Sequence, residues 1–277
     1  MLVACAQYAV RDGDPEANLE RSVAATLEAI RSGADLVVLP ELANSGCDFS
    51  SREHALGLAE KLGNPGGPTL RAWRELAEET GGFVVGGLLE REGEALYNSA
   101  VVVGPDNFLG RYRKTHLWDR EKLFYKSGRD LPIFQTPLGK VGILICYDAW
   151  FPEAARTLAL RGADLLCVPA NAPADWVPEE QRLRDLTMLN AHVISHANAN
   201  RLFVACANRV GEGYLGRSCI VDTGGGILAF GSPTEEELVN AEIDPERSRR
   251  EKRLTSYSHA FDDRNPAVYQ LAVSKDP

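Results

Sequence analysis

Short, nearly continuous apolar stretches recur along the chain and predict strands buried on both faces of a sheet. Turns rich in glycine, proline, asparagine and aspartate separate these stretches. The pattern predicts strands at 2–8, 35–39, 83–88, 98–103, 108–113, 133–136, 141–145, 163–169, 202–206, 217–222, 227–230 and 237–243. The fourth and fifth of these strands pair as a hairpin in this interpretation, as do the sixth and seventh.

Helical periodicity fills several of the intervals between the strands. Asp14 and Pro15 mark the start of the first helix, and Gly33 follows its end. The predicted helices cover 15–30, 52–61, 68–80, 153–160 and 180–199, and residues 115–130 form an irregular, charged connection. The sequence shows no linker, low-complexity tract or internal repeat. Residues 1–277 are therefore predicted to fold as one α/β domain, with helices outside and sheet inside.

Composition narrows the classes of function. The chain has 277 residues, with 30 basic and 39 acidic side chains and a net charge of −9. A net-acidic chain without a basic cluster argues against nucleic acid or an anionic membrane surface as the main partner. No apolar segment approaches the ~18 residues of a membrane-spanning helix. The six cysteines form no CxxC pair, which predicts free thiols in a reducing, cytoplasmic compartment rather than a disulfide framework or structural zinc site.

Cys146 lies at a strand–turn–helix corner. The apolar stretch 141–145 stops at Cys146, a polar turn follows, and Pro152 opens an alanine-rich helical pattern. Corners of this kind present a side chain at the carboxyl edge of an α/β sheet, and the dipole of the following helix favours a thiolate. The alternative is that Cys146 is a small buried apolar residue, the common fate of a free cysteine.

Two other predicted strands also end in a polar residue. Glu41 follows the strand at 35–39, and Lys114 follows the strand at 108–113. Because strand ends converge on one edge of an open α/β sheet, Glu41, Lys114 and Cys146 are predicted to share a pocket. A carboxylate can take the thiol proton, a thiolate can attack, and an ammonium can stabilise an oxyanion. Taken singly, Glu41 is better explained as a helix cap or loop ion pair, and Lys114 as a solvated charge.

Three motifs resemble those of the nitrilase (carbon–nitrogen hydrolase) superfamily in order and spacing. They are Leu39-Pro40-Glu41-Leu42, Tyr112-Arg113-Lys114-Thr115-His116-Leu117 and Cys146-Tyr147-Asp148-Ala149-Trp150-Phe151-Pro152-Glu153. The resemblance extends from the first strand to about residue 245 and implies catalytic roles for Glu41, Lys114 and Cys146. The resemblance further implies that an auxiliary glutamate of the family corresponds to Glu121, although Asp119 lies nearby.

The resemblance also implies an architecture and a mechanism. The expected fold is an αββα sandwich that pairs through its helices into homodimers or larger assemblies, with the tail from about residue 245 in these contacts. No metal and no organic cofactor is implied. Cys146 would attack an amide carbon with Glu41 as base, while Lys114 and the backbone N–H of Tyr147 would hold the oxyanion. Ammonia would leave, and water would then hydrolyse the thioester.

The residues that follow Cys146 are most similar to the amidase and N-carbamoyl-amine branches of the superfamily. Ala149 and Trp150 occupy places where enzymes acting on N-carbamoyl-D-amino acids carry arginines. The residues expected to contact substrate are Phe49, Tyr147, Trp150, Asn171 and Trp176, although core packing explains the two tryptophans equally well. An amidase that releases ammonia from a small carboxamide is therefore predicted, ahead of N-carbamoyl-amine hydrolysis and then nitrile hydrolysis. A catalytically silent scaffold of the same fold is the non-enzyme alternative.

Three other features carry less weight. His192 and His196 have the i, i+4 spacing of a metal pair, but no third ligand is evident, so packing or surface placement is favoured. His116 could partner Cys146 in a cysteine–histidine mechanism, which the matched glutamate and lysine disfavour. Residues 224–226 lack the spacing of a phosphate-binding loop and are predicted to form a hairpin turn.

Overall fold

The computed structural model describes residues 1–63, 65–174 and 186–272. Its strands are β1 (Leu2–Gln7), β2 (Leu36–Val38), β3 (Phe83–Glu92), β4 (Ala95–Val103), β5 (Phe108–Arg113), β6 (Ile133–Thr136), β7 (Gly139–Ile143), β8 (Leu165–Ala170), β9 (Phe203–Asn208), β10 (Val210–Gly211), β11 (Tyr214–Leu215), β12 (Cys219–Val221), β13 (Ile227–Phe230) and β14 (Glu237–Glu242). Its helices are α1 (Pro15–Arg31), α2 (Arg52–Leu58), α3 (Pro68–Thr80), α4 (Glu121–Phe124), α5 (Pro152–Leu160), α6 (Met188–Asn200) and α7 (Pro245–Arg250).

The strands form two six-stranded mixed sheets and one short hairpin. The order of the first sheet is β14-β1-β2-β3-β4-β5, and that of the second is β13-β12-β9-β8-β7-β6. β1, β2 and β3 are mutually parallel, as are β7, β8 and β9. Because β4 is antiparallel to both neighbours, β5 runs in the same direction as β3. The carboxyl ends of β2 and β5 therefore lie at one edge of the first sheet.

The two sheets pack face to face, with helices on both outer sides. One apolar cluster joins the inner faces and contains Val38 and Val102 from the first sheet and Ile143 and Ala205 from the second. A second cluster packs α1 and α3 on the outer face of the first sheet, with Trp73 fully buried. A third packs α5 and α6 on the outer face of the second sheet. These four layers confirm the predicted αββα sandwich.

Two predicted boundaries were wrong at the segments that form the site. The strand predicted to reach residue 145 ends at Ile143, because the Asp148 carboxylate accepts a hydrogen bond from the Ile145 N–H (3.0 Å) and turns the chain. The helix predicted from residue 180 begins, within the described residues, at Met188. Thr187 caps it, since its side chain accepts from the backbone N–H of Asn190. Residues 180–185 of that prediction lie outside the described residues.

Two whole-chain expectations can be compared with the structure. All six cysteines are free thiols, as predicted from their spacing. Within the described residues, no helix is long and apolar enough to cross a membrane.

The predicted turn at residues 224–226 joins β12 to β13, and the Asp222 carboxylate accepts hydrogen bonds from the N–H groups of Gly224 and Gly226.

Candidate active site

A cavity of about 290 Å³ opens where the ends of strands from the two sheets meet. Glu41 and Lys114 reach it from the first sheet, and Cys146 and Asn171 reach it from the second. The three residues that the sequence analysis placed at strand ends therefore line one pocket. Glu41 and Lys114 are almost fully buried, whereas Cys146 is partly exposed.

The backbone around Glu41 is held tightly against β3. The Ala43 N–H donates to the carbonyl of Gly87 (2.8 Å), and the Gly87 N–H donates to the carbonyl of Pro40 (3.2 Å). A Cβ atom at Gly87 would lie 2.6 Å from the Cα atom of Glu41, so only glycine permits this approach. The loop that carries Glu41 is therefore fixed by a neighbouring strand rather than free to move.

Glu41 and Lys114 form a buried ion pair. The Lys114 Nζ donates to Glu41 Oε1 at 2.7 Å, and the backbone N–H of Asn171 donates to Glu41 Oε2 at 2.9 Å. Burial by itself lowers the pKa of Lys114, but the charges of Glu41 and Glu121 outweigh it and raise that pKa well above its usual value. Lys114 is therefore a permanent cation at neutral pH.

Glu121, rather than Asp119, completes the cluster. Glu121 begins α4, and its Oε2 lies 2.9 Å from Lys114 Nζ and accepts from the Trp118 N–H at 2.7 Å. Asp119 is exposed, with a positive φ of 39°. Burial raises the pKa of Glu121, Lys114 lowers it, and the charge of Glu41 raises it again, for a net increase. Two carboxylates thus share one ammonium.

Cys146 stands on a strained turn. Its φ of 45° is unusual for a residue with a side chain, and a 3₁₀ turn at Cys146–Trp150 separates it from α5. Burial raises the pKa of the Cys146 thiol and the charge of Glu41 raises it further, which outweighs the opposite effect of Lys114. The predicted thiolate is not favoured at rest, because burial and the charge of Glu41 outweigh the charge of Lys114, and α5 begins only at Pro152. A neutral thiol faces a carboxylate base.

Asp148 ties the cysteine turn to the lysine strand. This fully buried carboxylate accepts from the Tyr112 hydroxyl at 2.6 Å and the His116 N–H at 2.9 Å, besides the Ile145 N–H described above. Burial and the Asp148 charge raise the pKa of Tyr112 well above its usual value. Asp148 lies within the Cys146 motif, but nothing in the sequence assigned it this role, because its burial and its partners appear only in the structure.

Asn98 is a second residue that the sequence analysis missed. It lies on β4, almost fully buried, and its Nδ2 donates to Glu41 Oε1 at 2.7 Å and to Glu121 Oε1 at 2.8 Å. Its carbonyl accepts the backbone N–H of Lys114 at 2.8 Å. In the sequence it is the first residue of the strand predicted at 98–103, and that position gave no indication of a role.

The predicted substrate wall is largely present at the cavity. Phe49, Tyr147, Trp150 and Asn171 line it, whereas Trp176 lies outside the described residues. Trp150 is 38% exposed, so core packing does not explain it. Both polar atoms of the Asn171 side-chain amide are buried, and neither has a partner among the described residues.

An aromatic cluster lines the cavity beside the cysteine turn. The ring of Trp118, which the sequence analysis did not single out, lies 4.6 Å from that of Tyr147 and 6.0 Å from that of Trp150. Rings at these separations and tilts pack favourably and give the cavity an apolar wall.

The histidines take structural positions. His196 Nε2 lies 2.6 Å from the Ala149 carbonyl oxygen, and His192 packs against Trp150 at 5.0 Å between ring centroids. His116 Nδ1 lies 2.7 Å from Asp148 Oδ1, so this histidine supports the turn instead of pairing with Cys146. Within residues 1–63, 65–174 and 186–272, no group of three or more His, Cys, Asp or Glu could hold a metal ion.

Comparison with known proteins covers nearly the whole chain. Residues 2–253 match the carbon-nitrogen hydrolase family model. A nitrilase from Pyrococcus abyssi is 40% identical over 92% of this chain and 94% of its own length. An (R)-stereoselective amidase from a Pseudomonas species is 32% identical over 93% and 90%. An N-carbamoylputrescine amidase from Solanum lycopersicum is 28% identical over 99% and 95%.

Solved structures give the same result for the fold. The crystal structure of a carbon-nitrogen hydrolase from Helicobacter pylori superposes with a TM-score of 0.84 and 27% identity, covering 97% of each chain. Both the family model and the structural match extend across the two sheets and the pocket between them. The chain therefore belongs to the carbon-nitrogen hydrolase family of the nitrilase superfamily.

Proposed function

We propose that this carbon–nitrogen hydrolase is an amidase, which converts a small carboxamide and water into a carboxylic acid and ammonia. The observation that carries the proposal is the hydrogen-bonded cluster of Glu41, Lys114 and Glu121 in the cavity that also exposes Cys146. It combines a base, a fixed cation and a nucleophile, the three groups that acyl transfer through a thioester requires.

In the first half-reaction, the Cys146 thiol proton passes to Glu41 as sulfur bonds to the amide carbon. The carbonyl π electrons move to oxygen, and the oxyanion is held by Lys114 and the backbone N–H of Tyr147. Two of the three Lys114 N–H bonds serve the carboxylates, so the third is available to the oxyanion. When the intermediate collapses, the C–N bond breaks, Glu41 returns the proton to nitrogen, and ammonia leaves.

In the second half-reaction, water attacks the thioester and gives its proton to Glu41. Collapse of the new oxyanion breaks the C–S bond, and the leaving sulfur takes the proton back from Glu41. The carboxylic acid is released, and the Glu41 carboxylate and the neutral Cys146 thiol are regenerated. Because the pKa of Cys146 is raised, the sulfur is reprotonated readily, which completes the cycle. Glu121 keeps Lys114 charged and in place throughout.

The cavity favours a small substrate. A volume of about 290 Å³ is at the lower end of ligand pockets, and its aromatic wall suits an uncharged or lightly polar acyl group. The unpartnered amide of Asn171 supports its role as a substrate contact, since a substrate donor and acceptor would complete its hydrogen bonds. Phe49, Tyr147 and Trp150 are assigned the apolar contacts.

Two other substrate classes are supported by particular relatives. The 40% identical protein is named a nitrilase, which favours nitrile hydrolysis, a reaction that consumes two waters for each ammonia. The N-carbamoylputrescine amidase favours N-carbamoyl amines, which would yield an amine, carbon dioxide and ammonia. The same cysteine, base and cation would serve all three.

A matched substrate panel separates the three classes. An amide, a nitrile and an N-carbamoyl amine with the same small alkyl group are incubated with the wild type and with Cys146→Ala, and ammonia is measured. We expect the highest kcat/KM for the amide and none above background for Cys146→Ala. A preference for the nitrile or the carbamoyl amine would replace the amidase assignment. Turnover by Cys146→Ala would overturn the thioester mechanism, and failure of the wild type on every substrate would favour a silent scaffold.

We also propose that the chain forms homodimers or larger assemblies through its helices and its tail. The tail carries strongly exposed apolar side chains, including Tyr257 (97%) and Leu271 (87%), which a subunit contact would cover. Light scattering should give at least twice the mass of the chain. Deletion of residues 255–277 should reduce it, and an unchanged monomeric mass for the full chain would contradict the proposal.

A further inference from the structure

The side chain of Asn98 lies between the two carboxylates of the pocket. One nitrogen, Nδ2, is 2.7 Å from Glu41 Oε1 and 2.8 Å from Glu121 Oε1. Lys114 Nζ contacts the same two oxygens, at 2.7 Å and 3.1 Å. A neutral amide and an ammonium therefore bridge the same pair of glutamates.

The chemistry of the neighbours fixes the orientation of this amide. An Asn98 carbonyl oxygen turned toward two carboxylates would meet two acceptors, whereas the NH₂ group has one proton for each. Asn98 Oδ1 accordingly points away, buried and without a partner among the described residues. Leaving this oxygen unpaired has an energetic cost, which the two hydrogen bonds to charged acceptors offset.

The charge balance explains why a neutral donor is useful here. Glu41 and Glu121 carry two negative charges against the single positive charge of Lys114, and all three are buried or nearly so. Two carboxylates this close tend to share a proton, and a shared proton would occupy the base that the thiol needs. A second cation would remove this tendency, but it would also compete with Lys114 for the oxyanion.

We propose that Asn98 is a positioning residue that keeps both glutamates ionised and apart, so that Glu41 is free to accept the Cys146 proton. The inference rests on the proposed thioester function. Asn98 donates to Oε1 of Glu41, and Lys114 binds the same oxygen, so Oε2 is the oxygen left for proton transfer. The Asn171 N–H that binds Oε2 also lies against the Cys146 thiol.

Several titrating groups face this pair and enter the pH dependence. Lys114 donates to both glutamates, and the thiol of Cys146 faces Glu41. Cys47 lies on the opposite wall near Glu41, and Tyr125 follows α4 near Glu121. Burial raises the pKa of the Cys47 thiol to about 11 and that of the Tyr125 hydroxyl well above its usual value. Both are neutral near pH 7, so the two carboxylates determine how the reactivity of Cys146 falls on the acidic side of its pH profile, which we call the acidic limb.

The test measures the alkylation rate of Cys146 by iodoacetamide as a function of pH, with the modified peptide quantified by mass spectrometry. Glu41 must be ionised to accept the thiol proton, so the rate falls on the acidic side as the carboxylate pair takes up a proton. Asn98→Ala removes both donors, which favours the protonated pair and moves this limb to higher pH by about one unit or more. The pH profile of kcat/KM for hydrolysis of the amide by Asn98→Ala should move in the same direction.

Asn98→Asp separates positioning from packing. This change keeps the shape of the side chain but replaces the donors with a third carboxyl group, so the limb should move further than in Asn98→Ala. A residue that only fills space would show the reverse order, with the isosteric variant nearer the wild type. Ser99→Ala is the matched control on the same strand, since Ser99 donates to Glu90 on the other face of the sheet. Its profile should superimpose on that of the wild type.

Two results would overturn the inference. One is an Asn98→Ala limb that coincides with the wild type while the protein remains folded by circular dichroism. The other is a smaller displacement in Asn98→Asp than in Asn98→Ala. Either leaves the proposed function intact if the wild type still hydrolyses its amide. If the wild type hydrolyses nothing, the alkylation profile still decides whether Asn98 controls the carboxylates.

Discussion

Two ionic clusters lie back to back on the first sheet, separated by the thickness of β4 and β5. Glu41, Lys114 and Glu121 meet on the inner side, whereas Glu90 binds Arg111 and Arg113 on the outer side, at 3.1 Å and 2.5 Å. Their members alternate along the strands, because successive side chains point to opposite faces. Asn98 and Ser99 thus donate to different clusters, as do Lys114 and Arg113.

The two clusters differ in how their carboxylates and cations are balanced. The inner one has two carboxylates for one lysine, and in the proposed mechanism a proton passes between Glu41 and the nearby thiol. In the outer one, two arginines surround Glu90, and a guanidinium remains protonated in any folded protein. Its hydrogen bonds to Glu90 and Glu92 raise the pKa of Arg113 further. One arrangement keeps protons mobile and suits catalysis, and the other locks the strands together.

Removing one central carboxylate from each cluster should affect activity in the inner cluster and stability in the outer one. Glu41→Gln is expected to lower kcat/KM by about 10²–10⁴-fold, because the proposed general base is gone. It should cost less stability than Glu90→Gln, because Glu121 still pairs with Lys114. Glu90→Gln is expected to leave activity within a few-fold but to destabilise the fold by about 3–5 kcal/mol, since two arginines lose their buried partner. The two expectations are checked by measuring kcat/KM and the free energy of unfolding in urea for both variants. Equal effects on activity would contradict the division of roles.

Replacing the lysine of the inner cluster with arginine, and an arginine of the outer cluster with lysine, should have the next largest effects. Lys114→Arg keeps the charge but replaces a compact ammonium with a planar fork, so the oxyanion contact should be lost and kcat fall by about 10²–10³-fold. Arg113→Lys should cost about 1–3 kcal/mol of stability, because Arg113 binds both oxygens of Glu90 and a lysine cannot. Its kcat should stay near the wild-type value. A Lys114→Arg enzyme with normal kcat would remove Lys114 from the mechanism.

The pKa of Cys146 gives a third comparison, because changes in the inner cluster should shift it and a change in the outer cluster should not. Burial and then Glu41 raise the pKa of this thiol, and Lys114 lowers it. Glu41→Gln should therefore bring the thiol pKa down toward its usual value, and Lys114→Met should raise it further. Glu90→Gln, on the other face, should not change it. Thiolate absorbance is measured against pH for the wild type and the three variants, and the absorbance of the matching protein that also carries Cys146→Ala is subtracted. The difference gives the pKa of Cys146 in each protein. A thiolate in the wild type at pH 7 would contradict a neutral resting state.

The sequence predicts the inner cluster better than it predicts the partners of that cluster. Glu41, Lys114 and Cys146 each follow an apolar stretch, and strand ends converge in an α/β sheet, so their meeting could be predicted. Most strand positions could be predicted because apolar periodicity records which faces are buried, whereas the four layers came from the family resemblance. Glu121 came from the family resemblance, and the structure places it on Lys114.

Asn98 and Asp148 could not be predicted as parts of the site. Asn98 lies in the middle of a strand, and only the pairing of β4 with β5 brings it beside the end of the latter. Asp148 looked like an ordinary turn residue, because its partner Tyr112 is distant in sequence and close only after the two sheets pack. The start of α6 was misjudged because the helical pattern continues upstream of the capping residue Thr187. Contacts between elements, rather than patterns within them, carry this information.

The smallest expected effect concerns the rim of the outer cluster. Glu92 is 57% exposed, and its carboxylate lies 3.1 Å from Arg113 and 3.4 Å from Arg111. Hydrogen bonding and charge from Arg113 lower the pKa of Glu92, but water and salt screen an exposed pair. Glu92→Gln should therefore lower the midpoint of thermal unfolding far less than Glu90→Gln, and the difference from the wild type should shrink as sodium chloride is added. A loss as large as that of Glu90→Gln, unchanged by salt, would mean that the outer cluster depends on both carboxylates rather than on Glu90 alone.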